Sequence, residues 1–153
     1  MTDLFTRTFH VGWGHLDSNA HMANTAYLDV CVDVRFMYFA SKGFSPKEFE
    51  RLRFGPVVQR DEIEYFRELR LLEPFTVNFA LAGASDDASR FRLRNEFFRE
   101  DGRMAARVTT LGGWLNLELR KLTAPPPGLV DVFATLPRTE DFERMESSVR
   151  NAS

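Results

Sequence analysis

The chain has a single cysteine, Cys31, which excludes an internal disulfide and a cysteine-rich zinc site. Lysine is nearly as scarce, with three of the 20 basic residues against 17 arginines. Set against 22 acidic residues, these give a formal charge of -2, which argues against a nucleic-acid partner bound through bulk positive charge. No apolar run approaches the roughly 18 residues of a membrane span, and the opening MTDLFTRTF has no signal-peptide core. The expectation is a cytoplasmic chain with neither a membrane nor a nucleic-acid partner. Repeats and domain linkers are also missing, and 153 residues suit one domain with a real core. Phenylalanine, by contrast, is abundant at fifteen residues, so a core built on aromatic packing is expected.

The order of elements follows from periodicity. Residues 4 to 13 alternate imperfectly and read as a strand ending at the loosened Gly12-Trp13-Gly14. Residues 15 to 21 are polar and aperiodic, hence a loop. A helix then runs from Met22 or Ala23 to about Ser41, with Asn19 or Ser18 available as its cap. Its apolar residues lie on almost every side, which marks a buried helix, and Cys31 within it reads as a small buried hydrophobe. Asp29 and Asp33 share one face, which must meet water, a cation or another subunit. Ser45, Pro46 and Glu48 open a short second helix with a capping box. Four long strands follow at 57–69, 75–84, 90–99 and 103–119, with Asp101-Gly102 suited to a type I′ turn. Gly112-Gly113 within the last signals a bulge or a close backbone approach. A short helix over 129–136 ends a domain spanning 1–137, and 138–153 reads as a charged, disordered tail. The resulting class is α+β: about five long antiparallel strands wrapped round one helix. The sheet's other face keeps an apolar component, so self-association as a dimer or tetramer is expected.

The chemistry concentrates where loop meets helix. Asp17, Asn19 and His21 fall just before the helix N-terminus, where free N–H groups and the helix dipole suit a developing oxyanion. A carboxylate there can act as a general base or a nucleophile. The same residues would serve equally as turn and cap formers, with His21 a hydrogen-bonded loop histidine. His15, Asp17 and His21 match no strong zinc spacing, and no metal is expected. Arg90, Arg92, Arg94, Arg99, Arg103 and Arg107 crowd two neighbouring strands. They could hold phosphates, or form a solvated sheet face with cross-strand pairs.

Asp17-Ser-Asn-Ala-His21-Met-Ala-Asn24-Thr-Ala-Tyr27-Leu28, followed by Arg35, resembles the signature of the hotdog-fold acyl-CoA thioesterases of the 4-hydroxybenzoyl-CoA thioesterase-like family. Residues 114–121, Trp-Leu-Asn-Leu-Glu-Leu-Arg-Lys, are similar to that family's last strand and exit. The resemblance implies a hotdog fold and hydrolysis of an acyl-CoA thioester, with CoA as part of the substrate and no cofactor. It places Asp17 as the catalytic carboxylate and Asn24 at the helix start, where a backbone N–H would polarise the thioester carbonyl. His21 and Tyr27 take positioning roles. Asn19 and Trp13 join Tyr27 as candidate substrate contacts. Three positions depart from the pattern: Ala20 stands for the usual Gly, His15 for a first Asp, and Val32 for a helical Glu that many members use as base. Activity must then rest on Asp17. Two other readings are a non-catalytic acyl-binding hotdog module and an (R)-specific enoyl-CoA hydratase, whose motif Asp17-x-Asn19-x-His21 approximates.

Overall fold

Strands Phe5–His10 (β1), Phe54–Tyr65 (β2), Pro74–Ala84 (β3), Arg90–Arg99 (β4) and Met104–Asn116 (β5) pair antiparallel in the order β1–β3–β4–β5–β2. They do so in the computed structural model, which describes residues 4–149. Alternation along each strand decides which side faces inward. Phe75, Val77, Phe79 and Leu81 of β3, Phe91, Leu93 and Phe97 of β4, and Ala106 and Val108 of β5 are buried. The curled sheet and the helix it encloses are the expected hotdog arrangement.

That helix, Ala26–Ser41 (α1), is shorter than its apolar composition suggests, because the chain first turns at Asn24 and Thr25. Thr25 occupies the N-cap position and makes no side-chain cap bond, so neither Asn19 nor Ser18 caps the helix. Ala26, Tyr27, Val30, Cys31, Val34, Arg35, Tyr38 and Phe39 are buried, in adjacent pairs repeating every fourth residue along one broad face. The helix is therefore not buried all round. Asp29, Val32, Asp33 and Met37 form an exposed stripe, with Val32 43% accessible. Burial pushes the Cys31 thiol up to about 12, as befits an inert core group.

The short helix Pro46–Leu52 (α2) begins as expected, with Ser45 Oγ accepting the Glu48 N–H at 3.3 Å. The Glu48 carboxylate binds Arg51 rather than completing a capping box. Phe49 of this helix, Phe39 of α1 and Phe133 of the helix Pro127–Thr135 (α3) converge on Trp114, which is fully buried. The Trp114 indole N–H donates to the Ala88 carbonyl at 3.0 Å. This aromatic nucleus closes the end of the fold opposite the helix N-terminus.

Three local expectations change. Strand β2 ends at Tyr65, so residues 66–69 belong to its connection to β3. The Asp101-Gly102 turn is a three-residue loop closed by the Arg99 N–H on the Arg103 carbonyl at 2.9 Å. Gly102, at φ +84°, is its left-handed residue, whereas a type I′ turn would need two. Residues 138–153 are not simply a charged tail. Arg138–Arg144 forms a strand (β7) parallel to β3, pairing Leu81 with Arg138 and Ala84 with Arg144. Among the described residues β1 begins opposite Phe79, and β7 pairs with β3 beyond that point. Its charges suit that place, since Asp141 takes the Arg94 guanidinium at 2.7 Å. Residues 150–153 of the expected tail lie outside the described residues. A three-residue strand, Lys121–Thr123 (β6), extends β5 on its other side, giving seven strands among the described residues.

Gly112 is the close approach that its sequence suggests. A Cβ there would lie 2.4 Å from the Val57 carbonyl oxygen and 2.7 Å from the Phe91 ring. The register of β2 against β5 slips between Val58 and Arg60, beside this contact. Gly112→Ala should destabilise the protein by about 2 kcal/mol, within the range for overpacking a core site, measured by urea unfolding.

Candidate active site

The loop between β1 and α1 is a small closed turn. The Asp17 N–H donates to the His21 carbonyl at 2.9 Å, and the Ala20 N–H donates to the Asp17 carbonyl at 3.1 Å. Leu16 and Met22 bridge at its base. Inside the turn, Asp17 Oδ1 accepts the N–H of Asn19 at 2.8 Å and that of His21 at 3.3 Å. One carboxylate oxygen is thereby fixed by the backbone, while Oδ2 has no partner among the described residues. The side chain is exposed. Ala20 sits at φ +61°, the left-handed conformation that the usual Gly adopts freely, so the turn keeps its shape at some steric cost.

The approach to the helix leaves one donor open. The Met22 N–H goes to the Leu69 carbonyl at 2.7 Å, the Ala23 N–H to the His15 carbonyl at 2.7 Å, and the Thr25 N–H to Asn24 Oδ1 at 3.1 Å. The Asn24 N–H has no acceptor among the described residues. It therefore stands free, next to the positive end of α1.

Asp17, His21, Met22, Asn24 and Tyr27 line one open pocket of about 310 Å³. Tyr65 at the end of β2 and Phe66, Arg67 and Glu68 of the β2–β3 connection complete it. Sequence reasoning missed these, having read them as the continuation of a strand. His21 Nε2 lies 3.0 Å from Glu68 Oε2, and the Tyr65 hydroxyl donates to the Asn24 carbonyl at 3.0 Å. Burial, with smaller contributions from Tyr65, Glu73 and Glu68, pushes the Tyr27 hydroxyl up to about 12. Tyr27 therefore remains a neutral phenol able to donate a hydrogen bond, and it does not act as a base at ordinary pH.

Two of the expected site residues stand apart. Trp13 lies in a single 3-10 turn, 80% accessible and outside this pocket. Asn19 also lines no part of the pocket, and its contact with Asp17 is through the backbone N–H. His15 is occupied structurally, its Nδ1 accepting the Gly12 N–H at 3.1 Å. Val32 lines no part of the pocket. Among the described residues, no group of three or more His, Cys, Asp or Glu is placed to hold a metal ion. Nor is any helix there long and apolar enough to cross a membrane. Several arginines considered for phosphates have carboxylate partners: Arg107 with Glu96 at 2.8 Å, Arg94 with Asp141, and Arg99 with Glu73 at 3.4 Å.

A sheet curled round one helix, with this loop at the helix N-terminus, defines a hotdog protein, and comparison supplies the family. The profile of the thioesterase-like superfamily matches residues 11–133, and the chain belongs to that family. Among curated proteins, no sequence matches the chain. Among solved structures it is similar to a hypothetical protein of Staphylococcus aureus characterised in complex with CoA. The identity is 27%, covering 88% of this chain and 87% of that one, with a TM-score of 0.79. It is similar in fold to a 1,4-dihydroxy-2-naphthoyl-CoA thioesterase from Synechocystis, at 20% identity over 88% of this chain and 98% of that one, TM-score 0.78. A DHNA-CoA thioesterase from Staphylococcus aureus also shares the fold, at 17% identity over 84% and 87%, TM-score 0.77.

The geometry of Ala20 yields a prediction for the loop. Ala20→Gly removes the left-handed strain but adds entropy to the unfolded chain, so a net stabilisation of about 0.5 kcal/mol is expected in denaturant unfolding.

Proposed function

We propose that this thioesterase hydrolyses acyl-CoA thioesters to free acid and CoA, with Asp17 as the reacting carboxylate and the Asn24 N–H as oxyanion donor. One observation carries the reading. A carboxylate with one oxygen tied down and the other free shares a pocket with an unclaimed N–H at a helix N-terminus. Held by two N–H groups, the carboxylate cannot swing away, and its free oxygen can take a proton from water or attack the carbonyl carbon itself. In either route the carbonyl oxygen gains negative charge, which a fixed N–H beside a helix dipole stabilises. Collapse of the tetrahedral species breaks the C–S bond and releases the CoA thiolate. In the base route the acid is then free, and the proton taken by Asp17 is available to the thiolate. In the nucleophile route water must still cleave the Asp17 mixed anhydride to give the acid and restore the carboxylate. Aromatic Tyr27, Tyr65 and Phe66 and apolar Met22 supply walls for the acyl group.

We further propose that two copies associate through the open edge of β2. Strand β2 pairs with β5 on one side, and the described residues leave its other edge free over a 12-residue strand. An unpaired edge of this length invites a partner strand. The helix stripe of Val32 and Met37, both more than 40% accessible, adds apolar surface. The solution mass, by light scattering at micromolar concentration, should be a multiple of 17.6 kDa. A monomer would overturn the assembly.

Asp17→Asn should lower kcat for acyl-CoA hydrolysis by at least about 100-fold, as loss of a general base or nucleophile requires, with the melting temperature essentially kept. Thiol release from a panel of acyl-CoAs measures this. A rate close to wild type would remove Asp17 from the chemistry. After a single turnover in ¹⁸O-water, label in the Asp17 carboxylate identifies Asp17 as the nucleophile.

A further inference from the structure

We infer that Tyr65 and Glu68 are positioning residues, a two-point clamp that holds the Asp17–Asn24 loop so that the carboxylate and the Asn24 N–H keep one fixed relation. The inference rests on the thioesterase reading above and adds residues to it. The middle of the loop is attached to the β2–β3 connection by backbone: Met22 bonds Leu69, and His21 bridges Arg70. The two parts that carry chemistry are attached differently. Around Asn24 the backbone bonds are local or absent, since the Thr25 N–H is spent on the Asn24 side chain. The hydrogen bond from the Tyr65 hydroxyl to the Asn24 carbonyl ties this residue to the sheet. At the other point, Glu68 holds the His21 imidazole, and the His21 main chain both closes the turn and donates to Asp17 Oδ1.

The clamp is itself anchored. The N–H groups of Phe66 and Arg67 both donate to the Ala105 carbonyl, at 2.8 and 3.1 Å, and Arg67 Nη1 donates to the Met104 carbonyl at 2.8 Å. The Tyr65 ring packs edge-on against Tyr27 at 5.4 Å, and Tyr27 in turn against the buried Phe97 at 5.0 Å. A line of aromatic contacts thus runs from the core to the Asn24 carbonyl. Partial burial raises the Tyr65 pKa, so the phenol stays a proton donor across the neutral range. Both clamp residues are exposed, at 48% for Tyr65 and 57% for the Glu68 side chain. Exposed side chains of this kind contribute little to global stability, so their positioning role is separable from folding.

The test uses Tyr65→Phe, Glu68→Ala, Glu68→Gln and the double variant Tyr65→Phe/Glu68→Ala of the full chain. With an acyl-CoA that the wild type hydrolyses, each of the first two should lower kcat about 10-fold with KM within about twofold, the signature of misplaced groups rather than lost binding. Glu68→Gln keeps an acceptor oxygen and should recover most of the Glu68→Ala loss. The double variant should lose less than the product of the two, because both contacts hold one loop. Values of kcat within twofold of wild type in both single variants would overturn the clamp, and so would losses matched by a fall in melting temperature. A second readout does not depend on activity. Amide hydrogen exchange at Asn19 and His21, the donors to Asp17, should rise about 10-fold in both variants. Unchanged exchange would overturn the clamp by itself, whereas a wild-type protein that cleaves no thioester would overturn only the thioesterase reading.

Discussion

Helix α1 carries one charge into the core, the guanidinium of Arg35, and the position of the helix depends on where that charge finds its partners. Arg35 Nε donates to Asn95 Oδ1 at 2.9 Å and Nη2 to Thr110 Oγ1 at 2.7 Å, while Thr110 donates to Asp61 Oδ1 at 2.5 Å. Asn95 in turn donates to the Asn78 carbonyl at 2.8 Å. Burial lowers the pKa of the guanidinium, with Cys31 and Asp61 acting in the opposite direction. A buried cation is costly unless hydrogen-bonded, so the helix cannot rotate about its axis or slide along it without stranding this group. The network touches β3, β4, β5 and β2 at once. Apolar packing alone would accept small rotations, and these four polar contacts do not.

With the helix fixed, its N-terminus has a defined place at the mouth of the sheet, and the Asp17 turn has a surface to close against. The site is held by short-range hydrogen bonding at the turn and by the β2–β3 connection across the pocket. The proposed arrangement of carboxylate and N–H needs both parts. The turn orients the carboxylate, while the sheet decides how far that carboxylate lies from the open N–H. The aromatic nucleus round Trp114 stabilises the far end of the helix. At the other end, Ala20 holds the Asp17 turn in a left-handed conformation at some steric cost.

The face of the sheet turned away from the helix is largely one of paired charges. Alternation along β4 places Arg92, Arg94 and Glu96 there, with Arg107 of β5 beside Glu96. Strand β7 adds Asp141 to the same surface. This explains the arginine-rich composition of β4 and β5 more directly than phosphate binding does, since each cross-strand pair satisfies both of its charges.

Much of this was legible in the chain itself. Period-2 alternation located the long strands of the central sheet, and the crowding of apolar residues between 26 and 39 marked the central helix, because burial selects side chains at the repeat of each element. The loop motif singled out Asp17, His21, Asn24 and Tyr27, and the pocket gathers all four. What the chain did not disclose depends on contacts between distant residues. Tyr65 and Glu68 lie more than forty residues from the loop they touch, in a stretch whose alternation continues past the end of its strand. The role of 138–144 as a strand depends on pairing with β3, more than fifty residues away, which local composition cannot report. Arg35 was visible as part of a motif, yet its function as the pin of the helix requires Asn95 and Thr110, which meet it only once β4 and β5 are paired. Sequence by itself determined the long antiparallel strands and the central helix, since propensity and periodicity act over a few residues. Tertiary structure alone decided which side chains complete the site, since a hydrogen bond between elements exists only after the backbone has brought its two ends within 3 Å.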